Sequence, residues 1–158
     1  MKKTHELAQR LREVILNGTW IARTNFKDQL ENLDWKVATT RFQDLNTVSL
    51  LAQHVHYYIN GVKNVFEGGG LEIRDKYSFD FPPIESQKDW DAFLTRFWDD
   101  TERLATLIEQ FPEEKLSAGF VDEKYGTYER NIEGIIEHCY YHLGQVVLVK
   151  KVVLYHHK

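Results

Sequence analysis

Asn131-Ile-Glu-Gly-Ile-Ile-Glu-His138-Cys-Tyr-Tyr-His142-Leu-Gly-Gln-Val-Val-Leu-Val149 reads as one amphipathic helix. Ile132, Ile135, Ile136, Cys139, Leu143, Val146, Val149 and Val153 recur at the three- and four-residue spacing that gathers side chains on one helical face. Glu133, Glu137, Gly144 and Lys151 fall opposite them. His142 lies inside the apolar arc, and His138 lies at its edge beside Gln145 and Val149. Residues four apart stand one above the other on a helix. Two imidazoles on a rigid backbone can therefore address a single point. An imidazole facing a core needs partners for both ring nitrogens, and a shared metal ion supplies one of them.

Outward from this helix, the same period predicts three more. The first runs roughly from Thr4 to Gly18, with Leu7, Leu11, Val14 and Ile15 carrying the period. Gly18-Thr19 marks a break or kink, after which Thr19–Leu30 offers a restart. Leu33–Gln43 is ambiguous and is treated as a connection. The second helix runs from Asn46 or Thr47, both suited to an N-cap, to Phe66, and Gly68-Gly-Gly70 ends it. Leu71 to Pro83 is aromatic and charged rather than Ser/Gly-rich, so it reads as an ordered loop lying over something. Ser86 caps the third helix, with Asp89 three residues on, and Pro112 marks its end. Glu113–Gly126 is a second connection, and the fourth helix spans about Thr127 to Val153. No strand pairing, internal repeat or domain boundary emerges. The expected fold is all-α: one domain over residues 1–158, a four-helix bundle with its sites between facing helices.

Composition narrows the function. The net charge is −4 and no long Lys/Arg block opposes it, so nothing draws the chain to nucleic acid or an acidic membrane. Charges interrupt every apolar stretch, which argues against a signal segment or a membrane span. Cys139 is the single cysteine, so no internal disulfide forms, and a reducing cytoplasm is the expected compartment. Its apolar phase makes it an inert buried thiol. Trp20, Trp35, Trp90 and Trp98 read as core or interface. Tyr57, Tyr58, Tyr140 and Tyr141 read mostly as packing. Arg74, Asp75 and Tyr77 are within reach of a pocket mouth but read as solvated loop residues. His156 and His157, at the chain end, stand outside the site.

The second helix carries two further histidines. Its apolar stripe centres near Val55 and Val62; His54 lies about 80° to one side and His56 about 120° to the other at 3.6 residues per turn. Leu50, Leu51, Tyr58, Gly61 and Val65 surround His54, whereas Ser49, Gln53, Asn60 and Lys63 surround His56. His54 thus flanks the core, and His56 belongs to the solvated face. Three imidazoles, His54, His138 and His142, aim at the interior from two helices. Three protein ligands with an open position is the catalytic form of a metal site, whereas a structural site is closed by four. The bland alternative is that each is a packing histidine satisfied by protein groups. H-x-x-x-H alone is a weak motif, and Cys139 stands where the H-E-x-x-H zinc proteases carry Glu.

At these residues the chain resembles the DinB-like (DinB/YfiT) family of metal-binding four-helix bundles. Leu50-Leu51-Ala52-Gln53-His54 matches that family's second-helix histidine, and His138-Cys-Tyr-Tyr-His142-Leu-Gly144-Gln145 matches its fourth-helix H-x-x-x-H with Gly-Gln close behind. The helix order and the long second connection match too. The resemblance implies an up-down-down-up bundle, a divalent metal (commonly zinc or nickel) on His54, His138 and His142, and a homodimer. It also implies kinship with thiol-dependent S-transferases, whose small-molecule substrate is a low-molecular-weight thiol, although the subgroup most like this chain has no established reaction. No family acid or base carries over.

Three functions follow as expectations. The first is a metal-dependent enzyme, a thiol S-transferase or a hydrolase. The second is a non-catalytic, stress-related bundle that binds a metal or ligand. The third is a metal-free interaction module.

Overall fold

Thr47 starts the helix on which the site is built. Its Oγ1 accepts from the Leu50 amide at 3.1 Å, and α4 then runs Val48–Phe66. The expected cap and the expected end both hold. Gly68, at φ +93°, takes the left-handed conformation past the last turn that disfavours a side chain. The computed structural model describes residues 1–156, and His157 and Lys158 lie outside the described residues.

The first expected helix is a composite. α1 spans Lys3–Arg12 and continues as a π-helical turn over Glu13–Asn17. Past Gly18 the chain does not resume a helix at Thr19. The short α2 covers only Phe26–Leu30, because Asn25 is the residue that can cap it: its side chain accepts from Asp28 N at 2.9 Å and donates to Gly18 O at 3.0 Å. Trp20, expected in a core or interface, lies in the intervening turn and is 82% exposed. Within the segment read as a connection, Trp35–Thr39 forms a short helix, α3, capped by the Asp34 side chain on Lys36 N.

α5 spans Gln87–Gln110. Ser86 Oγ accepts from Asp89 N and donates to Asp89 Oδ2, so the capping pair acts as read. α6 spans Tyr128–His156, three residues beyond the expected end. His156 stacks on Phe42 at 4.7 Å. The Glu113–Gly126 connection holds two single 3-10 turns, and its Gly119–Thr127 bridge is the only strand-like pairing among the described residues.

The structure is all-helical. α1 packs on α5, α5 on α4, α4 on α6, and α6 returns to α1. Their facing sides bury Leu7, Leu11, Val55, Trp90, Phe97 and Ile136 almost completely. Each such side chain contributes about 1.5–3 kcal/mol by leaving water. The eight apolar residues read as the inner face of α6 are all buried. α4 is buried more broadly than its stripe suggested: Ala52 and Ile59 are enclosed as well, because α5 and α6 cover different sides of it. No helix among the described residues is long and apolar enough to cross a membrane.

Candidate metal centre

His54 projects from α4 and His138 and His142 from successive turns of α6, and the three rings meet between the helices. The Nε2 atoms carry the meeting. His54 Nε2 lies 3.1 Å from His138 Nε2, and His142 Nε2 lies 3.0 Å from it. One ligand atom from each ring falls within 4.8 Å of the others, a group that can hold a metal ion. His54 and His142 are each 6% exposed, and His138 is half-buried.

The hydrogen bonds on the far side of two rings decide their tautomers. His54 Nδ1 donates to the Ser78 carbonyl at 2.9 Å, and a carbonyl can only accept. His142 Nδ1 donates to Gln145 Oε1 at 2.6 Å. Both Nε2 atoms therefore turn lone pairs toward the cluster. His138 Nε2 carries at most one proton, so it can satisfy one neighbour while another lone pair faces a lone pair. A neighbouring cation removes that conflict, and a partner on the opposite ring nitrogen is the usual support of a metal-binding imidazole.

Protonation does not remove it near neutral pH. Burial, reinforced by His142 and His54, pushes His138 down to about 4. Burial also lowers His54 and His142, against the bonds to Ser78 and Gln145 that favour their charged forms. The distances suit an ion. Two nitrogens about 2.1 Å from one metal stand roughly 3.4 Å apart at the tetrahedral angle and roughly 3.0 Å apart at a right angle.

The loop after α4 builds the far side of His54. Tyr57 OH donates to Arg74 O and accepts from Arg74 N, while Tyr58 OH donates to Asp75 Oδ1 at 2.7 Å. A 3-10 turn at Asp75–Tyr77 follows, and both the amide and the hydroxyl of Ser78 donate to Asp75 O. This chain of bonds holds the Ser78 carbonyl on His54. Phe79 then stacks on the His54 ring at 4.1 Å and 8°. The loop was expected to be ordered and to cover something; it covers His54. Burial and the Asp75 bond push the Tyr58 hydroxyl up to about 12, so it stays protonated.

Beside the cluster lies an open cavity of about 670 Å3 whose lining includes His138 and Tyr58. Arg74 and Asp75, read as solvated loop residues, line it too. Gly61 on α4 admits the loop here, since a Cβ would come within 2.6 Å of the Ile73 side chain.

His56 corrects the sequence reading. It is half-buried between α4 and α5 rather than solvated, with its ring against Phe93 and Phe97. Its Nε2 donates to Asp100 Oδ2 at 2.7 Å, and Lys63 bonds the other carboxylate oxygen. Cys139 is fully buried, and burial pushes its thiol pKa up, so it is inert as expected.

Fold and site together define a helical bundle with a buried three-histidine cluster able to hold a metal ion. No protein-family model, curated protein or solved structure matches the chain.

Proposed function

We propose that the protein is a divalent-metal-dependent enzyme of the DinB-like four-helix-bundle type, with His54, His138 and His142 as the ligands and zinc or nickel as the ion. The observation that carries this reading is the meeting of three Nε2 atoms, two of them with tautomers set by Ser78 and Gln145. A divalent ion there supplies Lewis acidity and lowers the pKa of a thiol or water that reaches it. The chain supplies the rest. His54 and His142 are oriented from behind, Phe79 shields one ring face, and the cavity gives a small molecule access at His138. The reaction class is transfer of a low-molecular-weight thiol to an electrophile, or hydrolysis.

Metal-loaded protein assayed with small thiols plus electrophiles, and with simple esters and amides, tests this. Turnover that disappears in His142→Ala supports the reading. Turnover retained in that variant contradicts it. Tight metal binding without turnover over the whole panel favours the non-catalytic bundle instead.

A homodimer belongs to the same proposal. Tyr141, Leu148 and Tyr155 lie seven residues apart on the outer face of α6 and are 66%, 61% and 74% exposed. Glu137 and Lys151 each stand seven residues from Gly144. An antiparallel pairing of two copies centred on Gly144 sets each Glu137 against a Lys151. Light scattering should give twice the chain mass for the wild type and the chain mass for Tyr141→Glu/Leu148→Glu. An unchanged mass in the variant counts against this face.

A further inference from the structure

The cavity beside His138 has a charge pattern that the metal reading leaves unused. Its walls are apolar: Val62, Leu71, Ile73, Phe120 and Ile135 line it. Its polar lining is biased toward cations. Arg74 enters from the loop and Arg130 from the first turn of α6, whereas Asp75 is the one carboxylate among the lining residues. Asp75 is already engaged by the Tyr58 hydroxyl. Arg74 makes no ion pair among the described residues. Arg130 pairs with Glu137, but both side chains are well exposed, at 61% and 59%, and such pairs contribute little. In a chain of net charge −4, two cations at the mouth of an apolar cavity form a local reversal of sign.

The volume, about 670 Å3, falls within the range of sites that enclose small organic molecules. Gly134 keeps this space open. It lies one helical turn before His138 and lines the cavity, and a Cβ placed there meets nothing within 4 Å.

We infer that the cavity binds an organic anion: an apolar body lies against Ile73, Phe120 and Ile135, and a carboxylate or other oxyanion is held by Arg74 and Arg130. The end of the molecule opposite the anion then points to His138. Its role as substrate rests on the metal-centre proposal; its binding does not. A guanidinium presents paired N–H donors that match the two oxygens of a carboxylate, and partial enclosure strengthens the bond over its value in open water.

Two dyes of one shape separate charge from apolar contact: 8-anilinonaphthalene-1-sulfonate and its uncharged parent N-phenyl-1-naphthylamine. Fluorescence titration should show saturable binding of the sulfonate to wild-type protein. Arg74→Gln and Arg130→Gln should each weaken it about five-fold, as expected for loss of one charge-assisted bond, and leave the neutral dye unchanged. Both arginines are exposed, so neither change threatens the fold. Gly134→Leu, on an open helical face, should block both dyes. Equal sulfonate affinity in wild type and both arginine variants overturns the inference. So does an equal loss of both dyes in the arginine variants, or unchanged binding in Gly134→Leu. His142→Ala, outside the cavity lining, should keep sulfonate binding while losing metal, so failure of the metal centre and failure of the anion site register separately.

Discussion

α4 carries two histidines two residues apart, and the contrast between them separates a packing histidine from a candidate site. His56 and His54 are both enclosed, and burial lowers the pKa of both. Around His56 the charges close on themselves. Asp100 accepts from its ring and from Lys63, and these bonds keep the Asp100 carboxyl below its ordinary range although burial alone would raise it. Around His54 nothing of opposite sign touches the inward nitrogen, which faces another imidazole. A polar group folded among complementary partners is a finished structural unit. Three imidazole nitrogens turned toward one point, two of them with their lone pairs, can hold a cation.

The largest expected difference between the two clusters is in metal affinity. His138→Ala or His142→Ala should weaken zinc or nickel binding by at least about 100-fold, since loss of even a supporting bond behind a ligand costs 10–100-fold. His56→Ala should leave affinity unchanged. A competition titration against a chelator measures both, and a comparable loss in His56→Ala would erase the distinction.

Stability of the metal-free protein should reverse that order. His56→Ala removes one partner of a half-buried carboxylate and should cost about 1–3 kcal/mol in urea unfolding. His138→Ala relieves a crowded, uncompensated nitrogen and should cost less than about 1 kcal/mol. A larger cost for His138→Ala would mean that the cluster is already satisfied without an ion.

Acid should expose the same tension. The folded state holds His138 near 4, well below the ordinary histidine value of 6.5. Between those values the unfolded chain binds more protons, so stability falls as pH falls. The apo protein should lose about 2 kcal/mol from pH 7 to pH 4 through this residue, after allowance for solvent screening. Bound metal should be released over the same range, because ligand imidazoles must be neutral. Flat apo stability from pH 7 to pH 4.5 would contradict the lowered value.

The smallest effect concerns orientation. Gln145→Leu removes the acceptor on His142 Nδ1 and should weaken metal binding about ten-fold. Ser78→Ala should change affinity much less, because the carbonyl on His54 belongs to the backbone.

The α6 face was readable because its periodicity is long and uninterrupted; all eight predicted apolar positions are buried, and His142 lies among them. The caps at Thr47 and Ser86 were readable because each supplies a short side chain with a matching amide three residues on. α3 was missed because five residues offer too little period, although Asp34 before Trp35 was a usable cap signal. His56 was misjudged because its sequence neighbours are polar, while the groups that enclose it, Phe93, Phe97 and Asp100, come from α5. The three-histidine cluster was legible from helical phase together with the side chains flanking each histidine. Its backing at Ser78 was not, since a backbone carbonyl has no residue-type signature. Gln145 stands beside the cluster in the sequence pattern, but its bond to His142 depends on side-chain rotamers that the spacing does not fix.

Elemental analysis of protein purified without chelator, wild type beside His138→Ala, tests the central claim most directly. One equivalent of zinc or nickel per chain in the wild type, absent from the variant, is the predicted result. A wild type that retains no metal after incubation with either ion at neutral pH would contradict it and leave the three histidines as packing residues.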